Sequence, residues 1–251
     1  MHYAYSGKWS GLLPILHHIV TKKDEDCHID LQTSLFVQEG ISPIILSEED
    51  AHRFLHQTFS EEVLYKCYLA FLSEKERIEE GIAQYLLLAG EMGTGIVNYW
   101  QHPVVNLIEY QAKKVAREKH LLIGVLRFQP LEGSEMLYAP FEPTYRVIYL
   151  LGSAFKRRLN QLPLILHDKK RNIACLHWQS KLLYQEHFFE QHASRKTIKE
   201  EDPYEELWRA FFKAVTIESR KNLKCEQQHL PKKYWKYLTE KNLILDAHKT
   251  G

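Results

Sequence analysis

The chain has 251 residues, 45% hydrophobic and 26% charged, enough apolar material for a sizeable core and too ordinary a charge content for global disorder. Its formal net charge of +1 excludes whole-molecule attraction to nucleic acid, so any such binding must come from a local patch. The start, Met1 to Trp9, has no basic stretch followed by an apolar one, and the run Val104 to Leu122 is broken by Glu109, Lys113, Lys114, Arg117, Glu118 and Lys119. The expectation is a soluble cytoplasmic protein with no secretory signal and no membrane association.

Read in chain order, His2 to Tyr5 predicts a short strand. The helical spacing of Trp9, Leu12, Leu13, Leu16, Ile19 and Val20 predicts a helix. Pro14 fits that helix only within its first turn. Ile41 to Leu46 reads as a strand, and Ser47-Glu48-Glu49-Asp50 as a capped helix start continued by Ala51, Phe54, Leu55 and Phe59. Ser60 opens another helix through Leu72, and a third carries Ile78, Ile82, Tyr85, Leu86 and Ala89 inward. Gly90 to Gly95 is a break, and Pro103 starts a helix through about Lys119.

The middle of the chain changes character. Leu121 to Leu131 is rich in strand formers, Glu132-Gly133-Ser134 signals a turn, and Met136 to Phe141 is a second strand. A helix over Thr144 to Leu159 follows. Leu164 to His167, Ile173 to Trp178 and Leu182 to His187 then complete an antiparallel meander covered on one face by helix. Ser194 to Asp202 is a polar linker, and Pro203 begins a C-terminal helix with Leu207, Phe211, Phe212 and Val215 apolar. The fold class is α+β: a helical N-terminal half, an antiparallel meander, and a C-terminal helix with a basic aromatic tail. It forms one domain, 1–251, divisible into 1–120, 121–193 and 203–251.

Glu118, His120 and Arg127 bring a carboxylate, an imidazole and a guanidinium to a helix-to-strand junction, and Glu142 joins them if the flanking strands form a hairpin. An acid–base or phosphate site is one reading; a structural Glu–Arg pair across the strands is the other. His167-Asp168 invites a metal or a catalytic base. Adjacent strand residues point to opposite faces, however, and an Asp at a turn ordinarily binds backbone amides. Cys27, Cys67, Cys175 and Cys225 contain no Cys-x-x-Cys spacing, so no metal or cofactor is expected, and any iron–sulfur chemistry belongs to a partner. Gly90 to Gly95 lacks the Lys-Ser/Thr of a phosphate loop, and Asp24-Glu25-Asp26 lacks a calcium-loop continuation.

The C-terminal segment mixes cations, amides and rings. Arg220, Lys221, Asn222, Gln228, His229, Lys232, Lys233, Trp235 and Lys236 suit phosphates, base edges and base stacking. A tail fastened to the core by its rings, with its cations solvated, is the competing reading.

Three stretches carry a resemblance: Tyr5 to Leu13; Val115 to Phe128 followed by Tyr138 to Pro143; and Ala214 to Asn222 with Gln227 to Glu240. Together they are similar to a bacterial DNA-metabolism protein family of unknown function. Its members occur alone, beside a DNA-repair radical-SAM protein, or fused to uracil-DNA-glycosylase-type domains. One departure is Ser153, where the family commonly has His, so that position is given no chemical role. The resemblance implies a DNA-repair accessory protein that binds DNA and works with a radical-SAM repair enzyme. A catalyst acting on a nucleotide or damaged base through Glu118, His120, Arg127, Glu142 or His167 is the first alternative. A protein–protein adaptor without nucleic-acid contact, showing an exposed apolar patch around Trp235, is the second.

Overall fold

The computed structural model describes residues 1–31, 47–131, 134–187, 207, 210–211, 214–217 and 222–238. The expected strand at Ile41 to Leu46 and the linker at Ser194 to Asp202 lie outside these. The chain divides into two compact units, Met1–Arg117 and Glu118–Gly251.

The first unit opens with β1 (His2–Tyr5), α1 (Trp9–Lys22) and β2 (His28–Leu31). The strands pair in parallel from His2↔His28 to Tyr5↔Leu31, with α1 as the crossover between them. Pro14 lies in the second turn of α1, beyond the first-turn position the sequence reading allowed, and it is buried among Leu12, Leu13, Ile15 and Leu16. The apolar contacts on that face offset the hydrogen bond the ring removes. α2 (Glu48–Thr58) and α3 (Glu61–Phe71) start as their sequences predict. Ser47 Oγ accepts from the Asp50 amide at 3.1 Å and Ser60 Oγ from the Val63 amide at 3.4 Å. α4 (Ile78–Met92) buries Ile78, Ile82, Tyr85, Leu86 and Ala89, and a 3₁₀ helix follows over Gly93–Asn98. α5 (Pro103–Val125) begins here and continues into the second unit. Its buried stripe in the first unit is Val105, Ile108, Ala112 and Val115.

The second unit is built on a five-stranded sheet in the order β3-β4-β5-β6-β7: β3 (Gln129–Pro130), β4 (Leu137–Phe141), β5 (Leu164–Asp168), β6 (Ile173–Trp178) and β7 (Lys181–Glu186). The α+β class stands. β5, β6 and β7 form the expected antiparallel meander, but β4 and β5 run parallel, Leu137↔Leu164 to Phe141↔Asp168. The cause is α6 (Ile148–Arg158), which returns the chain to the same end of the sheet. Residues 121–125, read as strand, remain helical, because extending the long α5 costs less than nucleating a new element. α6 packs on one sheet face; the other carries a small cluster of Leu131, Tyr138, Ile165 and Ala174. α7 (Leu223–His229) and a 3₁₀ helix over Lys232–Tyr237 complete the described chain.

Candidate nucleic-acid interface

The site is set by the turn Glu142-Pro143-Thr144, which follows β4, and by the C-terminal 3₁₀ helix beside it. That helix contains Lys233-Tyr234 and Lys236-Tyr237. Three residues per turn place both lysines, and both tyrosines, on matching faces. Each Lys-Tyr pair grips one carboxylate.

The first carboxylate is Glu118, which is buried. It accepts from the Thr144 amide at 2.8 Å, the Tyr145 amide at 2.8 Å and Lys233 Nζ at 2.9 Å, and also from the Tyr234 hydroxyl. Burial pushes its carboxyl up. The hydrogen bonds from Tyr234, the Thr144 and Tyr145 amides and Lys233 outweigh that effect and hold it below the ordinary range. An ionised carboxylate engaged by four donors is poorly placed to abstract a proton; it is an anchor. The second carboxylate, Glu142, binds Lys236 Nζ at 2.7 Å and the Tyr237 hydroxyl at 2.9 Å. Lys236 lowers its carboxyl most, against a smaller opposing effect of burial.

Cations gather around the same turn. The Thr144 carbonyl accepts from Lys170 Nζ at 3.2 Å and from the Arg171 guanidinium at 2.8 Å, and Lys233 Nζ also donates to the Thr144 hydroxyl. The Lys169 amide donates to the Phe141 carbonyl at 2.9 Å, and its charge helps lower Glu142. Asp168 neutralises part of this charge. It is fully buried and accepts from the Lys170 and Arg171 amides and from Arg171 NH1 at 3.0 Å. Burial raises its carboxyl in spite of Arg171. Lys169, Lys170, Lys232, Lys233 and Lys236 are all exposed residues.

The other expected residues fall as follows. Glu118 and Glu142 come together at one turn, but through the tail rather than through Arg127, which donates to the Gly124 carbonyl at 3.2 Å. His120 is exposed on α5. His167 is buried on the opposite sheet face from Asp168, where its Nδ1 lies 2.8 Å from the Tyr138 hydroxyl. Burial drives this imidazole down to about 4, so it is neutral near pH 7. Trp235, expected as a stacking plane, is 3% exposed and donates its indole N–H to the Leu230 carbonyl at 2.9 Å. A buried Trp with a satisfied N–H fastens the tail, as the competing reading held. Asn222 caps α7 by accepting from the Cys225 amide at 3.0 Å. Gln228, His229 and Lys232 are exposed. Arg220 and Lys221 lie outside the described residues. Sequence reasoning missed the roles of Thr144, Lys169, Lys170, Tyr234 and Tyr237; the repeat of Lys-Tyr at a spacing of three was the available signal.

A model of DUF4130, a domain of unknown function, matches residues 76–240. The chain belongs to the DUF4130 family. The DUF4130 match takes in Glu118, the Glu142–Thr144 turn and the 3₁₀ helix that grips them. Comparison with the curated proteins and with the solved structures returned no match. Among the described residues of this DUF4130 protein no helix is long and apolar enough to cross a membrane, and no group of three or more His, Cys, Asp or Glu side chains could hold a metal ion.

Proposed function

We propose that this protein is a cytoplasmic DNA-metabolism accessory protein that binds DNA phosphates at the Glu142–Thr144 turn and assists a repair or modification enzyme. The supporting observation is the concentration of Lys169, Lys170, Arg171, Lys233 and Lys236 around one turn of a chain with a net charge of only +1. Glu118, Glu142 and Asp168 hold Lys233, Lys236 and Arg171, so three carboxylates stand against five cations. Ordered cations at the surface suit phosphate oxygens. Gln228, His229 and Lys232 extend the polar surface along the tail.

The resemblance to DNA-metabolism proteins favours a radical-SAM partner that supplies its own iron–sulfur cluster, since this sequence has no Cys-x-x-Cys. Leu207, Phe211 and Val215, spaced by four and all exposed, are the kind of surface such a partner would cover. The catalytic reading is weaker because Glu118 is already engaged. The adaptor reading is weaker because Trp235 is buried rather than presented.

The test is anisotropy of labelled single- and double-stranded DNA with the wild type and with Lys169→Glu/Lys232→Glu, both side chains being exposed and outside the Glu118 anchor. Binding at low salt that weakens by about tenfold or more in the double variant supports the proposal. Absence of binding by the wild type at low salt rejects it.

A further inference from the structure

We infer that the exposed face of α5 within the first unit, together with the loop before it, is a second DNA-binding surface, built for the unpaired bases of a single strand. The inference rests on the reading of this chain as a DNA-binding protein but uses different residues.

The observations start from helix periodicity. Asn106, Tyr110, Lys113 and Arg117 recur at spacings of four, three and four and are all exposed, on the side away from buried Val105, Ile108, Ala112 and Val115. The acid of this stretch, Glu109, is buried and held by Lys66 at 2.5 Å, so the exposed stripe from Pro103 to Arg117 carries no carboxylate. The stripe is therefore cationic and polar, with a ring in it.

More rings stand beside it. Trp100 is 45% exposed with Lys113 Nζ 5.2 Å from its ring centroid, and Tyr110 is 53% exposed with Lys114 Nζ at 4.1 Å. Tyr99, 42% exposed, stacks with His102 at 5.7 Å between centroids. Cation–π contacts order each lysine against a ring while leaving part of the ring open to solvent. Large rings left wet forfeit the burial that would stabilise a core, and here they alternate with cations and an amide. Rings accept the faces of bases and the lysines accept the intervening phosphates, the combination that binds single strands without sequence preference. A duplex keeps its base faces stacked on each other and offers these rings nothing. An aliphatic protein surface would gain little from Lys113, Lys114 and Arg117.

The experiment measures anisotropy of a labelled oligothymidylate and of a hairpin duplex with the full chain. The variants are Trp100→Ala, Tyr110→Ala, Trp100→Phe and Lys113→Glu/Arg117→Glu, each checked for an unchanged melt. The expected result is about fivefold or greater loss of oligothymidylate affinity in each alanine variant, retention in Trp100→Phe, and little change for the duplex. Unchanged oligothymidylate binding by both alanine variants overturns the inference. So does an equal loss for duplex and single strand, or tighter binding of polyglutamate than of oligothymidylate. If only Lys169→Glu/Lys232→Glu loses binding, this surface is refuted and the turn interface stands. If only the ring variants lose it, this surface stands and the turn interface falls.

Discussion

Tyr234 donates its hydroxyl to the carboxylate of Glu118 across 116 residues of sequence. The bond joins the C-terminal 3₁₀ helix to α5 and to the turn that the Glu118 carboxylate also holds through the Thr144 and Tyr145 amides. The tail is thus part of the second unit's structure, and its lysines are placed by that attachment.

Replacing Glu118 with Ala leaves two amides, a phenol and an ammonium without their acceptor. Buried donors left without their acceptor cost about 2–4 kcal/mol together, and Lys233, more than one-third exposed, adds little because solvent screens it. Urea titration should show a loss of that size for Glu118→Ala and a smaller one for Glu118→Gln. A loss below about 0.5 kcal/mol would mean that the anchor is not formed in solution.

The Glu142 pair should behave differently. Lys236 and Glu142 are both more than one-third exposed, so solvent screens their attraction. Lys236→Ala is expected to cost under about 1 kcal/mol by the same titration. A cost equal to that of Glu118→Ala would contradict the ranking of the two anchors.

His167 predicts a pH dependence whose sign is fixed. Its folded value, about 4, lies below the ordinary 6.5, so the unfolded chain binds the extra proton first. Its contribution is fully present above about pH 6.5 and is lost as pH falls toward 4, by an amount on the order of 3 kcal/mol. Glu118 and Glu142, both lowered, add a further loss as pH falls from about 4.5 through their folded values. Melts of His167→Gln should flatten the stability profile between pH 6.5 and 4. An unchanged slope would show that His167 is not buried neutral.

Two helical glycines should respond in opposite directions. A Cβ on Gly152 would meet Cys175 Sγ and the Tyr184 hydroxyl, each at 2.7 Å, whereas at Gly90 it meets nothing within 4 Å. Overpacking costs about 1–3 kcal/mol and the helix gain is about 1. Gly152→Ala should therefore destabilise and Gly90→Ala stabilise, as thermal melts would report. Stabilisation by Gly152→Ala would mean that α6 does not sit tightly on β6 and β7.

Much of the fold was legible in the sequence. Ser47 and Ser60 announced their helices by capping chemistry, and the runs Leu164 to His167, Ile173 to Trp178 and Leu182 to His187 announced the meander. The parallel β4–β5 pairing was implied by the helix between the strands but was read as antiparallel because the neighbouring connections are short. Residues 121–125 are strand formers overruled by the helix they extend. Glu118 was legible as a candidate polar residue, but its purpose was not, because Tyr234 and Lys233 lie more than a hundred residues away. The tail's composition was plain; which of its cations face solvent was decided by the acids it meets.

The most direct test of DNA binding at the Glu142–Thr144 turn is the salt dependence of affinity for duplex DNA, wild type against Lys169→Glu/Lys232→Glu. If these lysines neutralise phosphates, log affinity falls linearly with log salt, by about 0.9 per phosphate contacted, and the variant's slope is shallower by about two contacts. Equal slopes for the two proteins, or an affinity indifferent to salt, would contradict the account.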